Sequence, residues 1–220
     1  MTSEDATARL GAVQRIYARW GRHPRVYAAQ DLLTFLGRGR TIRRRAIEAT
    51  GIGPGGRVLE VACGTGRNFS YIEERIGPPG HLVGFDYSAE MLGAARALSQ
   101  RRGWRNVELI QGDAAELDVG ERSFDAVVSI LGMSVVPRHL RALERCRSLL
   151  RPGGVLSICD ARLFPGRLRV LNPLVRAIYE PTTGWRPERD LVGDIARTFG
   201  NVEVESFNGG SFFIATARRV

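Results

Sequence analysis

Arg57-Val-Leu-Glu-Val-Ala-Cys-Gly-Thr-Gly-Arg-Asn68 is the stretch that decides the fold. Its first half is a short apolar run of the kind found in strands that are buried on both faces. Gly64 and Gly66 then form a turn in which the backbone can approach a bound molecule, because glycine has no Cβ to collide with it. The pattern predicts a strand, a ligand-binding loop and a helix, in that order.

The residues around the loop indicate its ligand. A dinucleotide site would carry a third glycine three residues after Gly66, but Phe69 stands there. Glu60 precedes the loop, and its carboxylate would repel a phosphate group and attract a cation. S-adenosylmethionine has an α-ammonium group at that end of the molecule. The loop therefore predicts this cofactor rather than NAD.

Two more acidic residues end the next two predicted strands. Asp86 closes the strand that begins at His81, about twenty residues beyond the glycines, where doubly wound folds present an acid to ribose hydroxyls. Asp113 follows the strand that begins at Val107, and its carboxylate can accept a hydrogen bond from an adenine amino group. Ser88 is predicted to cap the helix between them. Three strand ends are thus expected to converge on one nucleoside.

Together these motifs resemble the class I S-adenosylmethionine-dependent methyltransferases. The resemblance rests on residues 60–66, 84–92, 112–117, 123–129 and 150–156, and it covers the chain from Gly55 onward. It implies S-adenosylmethionine as cofactor and no metal. Ala62 stands where many members have the first loop glycine, so we expect its φ to stay below zero. The implied cofactor contacts are Tyr17, Glu60, Ala62, Cys63, Gly64, Gly66, Asn68, Asp86, Tyr87, Met91, Asp113, Ala114 and Ser129.

The predicted fold is α/β and Rossmann-like. It has a seven-stranded, mostly parallel sheet with a C-terminal antiparallel hairpin, and helices on both faces. The hairpin follows from the alternating residues on either side of Asn208-Gly-Gly210, and dehydrogenase domains lack it. We expect an N-terminal helical cap or lid over residues 1–50 and the cofactor-binding domain over 51–220. Residues 161–187 are expected to form a lid-like insertion with an amphipathic helix.

Two finer resemblances concern the methyl acceptor. The segment from Ile16 to Trp20 is similar to the lid of ubiquinone and menaquinone methyltransferases, in which a tyrosine approaches the cofactor carboxylate; Tyr17 is the matching residue. The insertion, through residues 172–174 and 181–185, and the later residues 208–210 are similar to bacterial phosphatidylethanolamine N-methyltransferases. N-methylation of such an amine is favoured. O- or C-methylation of a natural product or a quinone is the alternative.

The sequence does not identify a catalytic residue. A neutral amine needs no strong base, whereas a hydroxyl or carbon acceptor does. The sequence offers several candidates for such a base: His23, Asp31, His139, Tyr179 and Glu180. A cyclase or a non-catalytic cofactor-binding protein would share the same fold and stays open at this point.

The charge of the chain indicates anionic partners. The formal net charge is +9, and all 32 basic residues are arginines, which codon bias can also produce. Such a charge favours contact with an anionic membrane surface or with nucleic acid. Residues 129–134 lack the Pro-Pro-aromatic motif of amino-directed base methyltransferases, so nucleic acid is the less favoured partner. The run Arg43-Arg44-Arg45 is expected to be a solvated helix face, with contact to an anionic lipid or a phosphate as the alternative.

Composition also sets expectations for size and location. A chain of 220 residues with 44% hydrophobic residues can bury a sizeable core. Cys63, Cys146 and Cys159 are too far apart in sequence for a zinc motif and are odd in number, which fits a reducing cytoplasm. No secretory signal or membrane-spanning run is visible. We expect a cytoplasmic protein that contacts the inner membrane face peripherally.

Overall fold

The computed structural model of this chain describes residues 3–35, 37–119 and 123–220. The side chain of Asp31, one of the sequence candidates for a base, lies outside the described part. The strands are β1 Arg57–Val61, β2 His81–Asp86, β3 Val107–Gln111, β4 Phe124–Ile130, β5 Leu150–Ala161, β6 Glu203–Phe207 and β7 Phe212–Arg218. The helices are α1 Ser3–Arg22, α2 Pro24–Thr34, α3 Gly39–Glu48, α4 Phe69–Ile76, α5 Ala89–Arg102, α6 His139–Leu149, α7 Asn172–Thr183 and α8 Leu191–Phe199.

The seven strands form one sheet in the order β3-β2-β1-β4-β5-β7-β6. The first five strands of this order pair in parallel, whereas β7 pairs antiparallel with both β5 and β6. The parallel α/β sheet with its terminal hairpin is therefore confirmed. The strand order reverses at β1 and β4, and open α/β sheets bind ligands outside the carboxyl ends of the strands at such a point.

Side chains alternate between two core clusters, one on each face of the sheet. On β1, Leu59 and Val61 belong to the cluster that α6 and α8 cover, and Val58 belongs to the cluster that α3, α4 and α5 cover. This alternation is what a strand buried on both faces requires. Packing of helices on both faces holds the sheet in place, so the loops at its carboxyl edge have fixed positions.

The helix α3 shows how the N-terminal segment joins this core. Ile42, Ala46 and Ile47 are buried against the sheet, and the Ser157 hydroxyl on β5 donates a 2.6 Å hydrogen bond to the Ala46 carbonyl. The division of the chain into a cap at 1–50 and a domain at 51–220 remains a prediction. The helix α3 falls within the predicted cap, but it packs directly on the sheet as part of the domain rather than as a separate lid.

Ala62 corrects one expectation about the loop. Its φ is +56°, in the left-handed region, whereas the sequence analysis expected φ below zero. The chain turns sharply as it leaves β1, because Cys63 must donate its backbone N–H to the Phe85 carbonyl of β2 at 3.1 Å. Alanine therefore occupies a conformation in which a residue with a Cβ costs about 1–2 kcal/mol relative to its relaxed state.

Replacing Ala62 with glycine is expected to stabilise the chain by about 0.5–1 kcal/mol. Glycine removes the left-handed strain, and its greater freedom in the unfolded state offsets part of the gain. Urea unfolding measures the difference. The matched control is Ala97→Gly within α5, where φ is helical and the same change should cost about 0.5–1 kcal/mol. Equal losses in both variants would contradict the assignment of strain to Ala62.

Candidate active site

Two cavities meet at the carboxyl edge of the sheet. The first encloses about 840 Å³, including its open mouth, and is built from the loops that follow β1, β2, β3 and β4, with α1 across the top. Most of the predicted cofactor contacts line it: Tyr17, Ala62, Cys63, Gly64, Asn68, Asp86, Tyr87, Asp113 and Ala114. The convergence of three strand ends on one site thus matches the geometry of the described residues.

Four predicted contacts lie behind this lining instead. Gly66 and Met91 are buried, and a Cβ on Gly66 would come within 2.8 Å of the Phe69 ring, so this glycine serves helix packing. Ser129 is fully buried in β4, and its hydroxyl has no hydrogen-bond partner among the described residues. Glu60 is fully buried beneath the loop.

Glu60 reaches the cavity through a chain of polar side chains. The Asn68 amide donates to one Glu60 carboxylate oxygen, and the Asn68 carbonyl accepts from the Arg43 guanidinium. The other carboxylate oxygen, Oε2, has no hydrogen-bond partner in the part of the chain that the structure describes. Burial raises the pKa of Glu60 to about 8, although Asn68 and Arg43 both act to lower it. Behind the cavity wall, the site therefore holds a buried carboxyl group that is mostly protonated near neutral pH and can become an acceptor when it ionises.

Arg43 contradicts the expectation of a solvated arginine run. It is only 6% exposed, lines the first cavity and lies over the Phe35 ring at 5.1 Å. Arg44 and Arg45 do face solvent, where they pair with Glu74 and Glu205. One turn of α3 thus directs one arginine into the site and two into solvent. Which arginine is buried depends on which face of the helix packs against the sheet.

Asp86 connects the first two strand ends. Its Oδ2 accepts a 2.8 Å bond from the Gly64 N–H and its Oδ1 accepts a 2.9 Å bond from the Ser88 N–H. Burial raises the pKa of this carboxyl, and the backbone donors oppose that rise. Asp86 lines the cavity while it holds the glycine loop in place. The carboxylate keeps lone pairs that can accept from hydroxyl groups.

Asp113 has a charged partner that no local sequence pattern indicates. Its Oδ1 accepts from the Ala115 N–H at 2.9 Å, and its Oδ2 binds the Arg138 guanidinium at 2.8 Å. Arg138 also binds Glu116 at 2.8 Å. The arginine comes from the segment after β4, so this loop and the β3 loop are fixed to each other at the rim of the cavity.

The second cavity adjoins the first and is more apolar. It encloses about 1090 Å³, again with its mouth included. Tyr17, Tyr27, Leu131 and Val135 line both cavities and so form the boundary between them. Leu131 has a φ of +57°, a strained conformation at this junction. The remaining aromatic lining of the second cavity consists of Phe164, Tyr179, Trp185 and Phe212.

One buried carboxylate faces this apolar space. Asp160, at the end of β5, is 1% exposed and lines the second cavity. It accepts from the Ser134 N–H at 2.9 Å, the Ser134 hydroxyl at 2.7 Å and the Ala161 N–H at 2.8 Å. Burial nevertheless raises its pKa to about 6. Asp160 was not among the candidates for a base that were named from the sequence.

The sequence candidates for a base occupy different positions. Tyr179 lines the second cavity. Glu180 pairs with Arg176 at 2.9 Å, His139 pairs with Asp194 at 2.8 Å, and His23 is exposed; these three residues line neither cavity. Burial raises the pKa of the Cys63 thiol, so this residue is a neutral part of the wall. Over the described ranges, no three His, Cys, Asp or Glu residues cluster in a way that could hold a metal ion.

Comparison with known proteins identifies the domain. Residues 58–154 match the family described as a methyltransferase domain. A demethylmenaquinone methyltransferase from Listeria welshimeri is 35% identical over 138 residues, which are 62% of this chain and 58% of that protein. The chain thus spans somewhat more than half the length of the curated relatives it matches.

Two solved structures share the fold at low sequence identity. A S-adenosylmethionine-dependent methyltransferase from Aquifex aeolicus superposes with a TM-score of 0.65 at 18% identity, over 81% of this chain and 89% of that one. A possible histamine N-methyltransferase from Thermotoga maritima gives a TM-score of 0.69 at 18% identity, over 94% and 100%. With the sheet order, these comparisons show that residues 58–154 form a methyltransferase domain and that the chain has the fold of S-adenosylmethionine-dependent methyltransferases.

Proposed function

We propose that this chain transfers a methyl group from S-adenosylmethionine to a ring carbon of a hydroxylated aromatic acceptor of the demethylmenaquinone type. The observation that carries the proposal is the pair of adjoining cavities. One is lined by the glycine loop and its acidic neighbours, and the other is aromatic with a buried carboxylate at Asp160. The boundary residues between them mark where donor and acceptor would meet.

The residues of the first cavity fit the cofactor. Directly behind the lining, the Glu60 oxygen that has no partner among the described residues suits an ammonium group once the carboxyl is ionised, and Arg43 in the cavity wall suits a carboxylate. Gly64 has a φ of +56° and open space where a Cβ would stand, so a ligand can approach the backbone there. Asp86 and Asp113 offer acceptors for ribose hydroxyls and for an adenine amino group. When bound, S-adenosylmethionine supplies a methyl group already activated on a sulfonium.

The chain itself has three tasks in such a reaction. It aligns the acceptor with the methyl group, which in favourable cases lowers a barrier by about 7–11 kcal/mol. It also excludes water from the reacting groups. Tyr17 and Tyr27 suit this task because they lie at the boundary between the two cavities. It also accepts a proton, because an aromatic carbon becomes a good nucleophile when a neighbouring hydroxyl ionises. Asp160 is placed and poised for this last task.

The acceptor proposed here differs from the one that the sequence favoured. N-methylation of a phosphatidylethanolamine-like amine was the first expectation, and O- or C-methylation in a quinone or natural-product pathway was the alternative. The curated relatives are named for a quinone substrate. An aromatic cavity with a basic carboxylate suits a hydroxylated ring, whereas a neutral amine needs no base. The carbon-methylation alternative thus becomes the proposal.

The test is methyl transfer from labelled S-adenosylmethionine to three acceptors in parallel. These are a reduced demethylmenaquinone with a short tail, the same compound oxidised, and phosphatidylethanolamine in vesicles. We expect label in the reduced compound alone, because the oxidised ring lacks the hydroxyl whose ionisation activates the carbon. Label in phosphatidylethanolamine alone, or no transfer despite measurable cofactor binding, would refute the proposed acceptor.

A further inference from the structure

The segment that closes the second cavity carries an unusual set of exposed apolar side chains. Within residues 166–178, five of them are between 43% and 76% exposed. They are Leu168, Val170, Leu171, Leu174 and Ile178, and we name this set the apolar strip. Single exposed apolar residues are ordinary on protein surfaces, but a contiguous set marks an interaction site. Leu171 directly precedes α7, and together with Leu174 and Ile178 of that helix it has the spacing of one helix face.

The strip is exposed although its segment is firmly held. Asn172 anchors the start of α7 through two hydrogen bonds with the Phe164 backbone, at 2.9 and 3.1 Å. Near its end, the Trp20 indole donates to the Thr182 carbonyl at 3.0 Å, and the Thr34 hydroxyl lies 3.4 Å from the Tyr179 hydroxyl. Inward-facing residues of the helix line the second cavity. Because the helix is held in place and its outer apolar face stays exposed to water, we expect this face to bind a partner outside the chain.

The charges around the strip point to an anionic bilayer. Residues 161–179 contain four arginines and no acidic residue. Arg167 and Arg169 are exposed and alternate with strip residues. A second copy of the chain is a poor occupant, because a symmetric contact would place the same arginines against each other. We propose that the strip and these two arginines dock the protein on an anionic lipid surface, with apolar side chains entering the interface and guanidinium groups meeting phosphates.

The second cavity links this surface to the proposed function, on which this further step rests. Phe164, Val175 and Tyr179 line the cavity from the same segment that carries the strip. On the other side, α2 contributes Tyr27 and Thr34 to the lining. Docking would therefore bring the cavity close to the lipid, and an acceptor with a long apolar tail would reach it without crossing water.

Flotation with vesicles tests the docking surface. Purified protein is mixed with phosphatidylcholine vesicles that contain or lack phosphatidylglycerol, at low and high salt. We expect binding to the anionic vesicles that weakens with salt, since screening reduces such attraction. The double variant Val170→Ser/Leu174→Ser should bind about tenfold more weakly or worse. Arg167→Gln/Arg169→Gln should lose about 30-fold on anionic vesicles, at roughly 1 kcal/mol for each arginine.

Matched controls separate docking from general changes in charge and hydrophobicity. Leu140 on α6 and Val204 on β6 are 50% and 42% exposed outside the strip, so Leu140→Ser/Val204→Ser should leave binding unchanged. Arg101→Gln/Arg102→Gln removes the same charge from the end of α5. Equal losses in strip and control variants would overturn the proposal. So would self-association that depends on the strip, or the absence of vesicle binding.

Turnover separates this proposal from the proposed function. The strip and arginine variants should methylate a short-tailed soluble acceptor at the normal rate, because none of the four residues lines either cavity. Normal turnover with no vesicle binding in the unaltered protein would overturn only the docking surface. Vesicle binding that depends on the strip, with no transfer to any aromatic acceptor, would overturn only the proposed acceptor.

Discussion

Replacing Asp160 with asparagine is expected to lower kcat by about 100- to 10,000-fold, the range that a positioned general base contributes. The carboxylate lies in the wall of the aromatic cavity, and its pKa of about 6 leaves it ionised and moderately basic near neutral pH. Asparagine keeps the size of the side chain and one acceptor oxygen but cannot take up a proton. Both Asp160 oxygens accept hydrogen bonds, so the asparagine NH2 group loses at least one of them, but the cavity keeps its shape and KM should change little.

The pH dependence checks this role independently of the loss in rate. Since the base must be ionised, kcat/KM should rise with pH and level off above about 6. Ser134→Ala removes the 2.7 Å hydroxyl donor that favours the ionised form, so the rising limb should move to higher pH. A purely structural role for Asp160 predicts no such shift.

Asp125 provides the matched control for the asparagine variant. It lies near the start of β4, at the opposite edge of the sheet, where it accepts from the Arg57 N–H at 2.7 Å and pairs with Arg151. Asp125→Asn should reduce stability somewhat without moving the pH profile. A loss of less than about tenfold in Asp160→Asn would favour an amine acceptor, which needs no base.

The sequence predicted the scaffold of the site well because the scaffold depends on local patterns. Each pattern specifies the local structure of its own segment. These patterns are the apolar run before the glycines, the acidic residues at the strand ends and the Asn-Gly turn. The parallel sheet and the hairpin follow from their order along the chain, and both are confirmed. Most predicted cofactor contacts then line one cavity, since parallel strand ends must meet at one edge.

The residues that the sequence analysis missed depend on packing between distant segments. Arg43 turns inward only because α3 packs its Ile42 and Ala46 face on the sheet, and in the sequence it looks like its two neighbours. Arg138 meets Asp113 across 25 residues of chain. The expectation for Ala62 failed because the loop geometry, set by its bonds to β2, overrides the preference of alanine. None of these three features can be recognised from the residues next to it in the sequence.

Glu60→Gln is expected to change how stability depends on pH. In the folded chain the pKa of Glu60 is about 8, against an ordinary value of 4.5. Between these values the folded state holds a proton that the unfolded state has released, so the free energy of unfolding falls as pH rises from about 4.5 to about 8. Glutamine removes this part of the slope. Urea unfolding across this range measures it, with exposed Glu48→Gln on α3 as the control; identical slopes in all three proteins would contradict the prediction.

The same substitution is expected to weaken S-adenosylmethionine binding by about 10- to 150-fold, the range for losing one charged hydrogen bond. At pH 7 the buried carboxyl is mostly protonated, so pairing with the cofactor ammonium requires it to release its proton. Calorimetric titration in two buffers of different ionisation enthalpy should show close to one proton released per cofactor bound in the unaltered protein and none in Glu60→Gln. Equal proton release in both proteins would mean that the ammonium is bound elsewhere, and that Arg43 and Asn68 satisfy Glu60 for structural reasons alone.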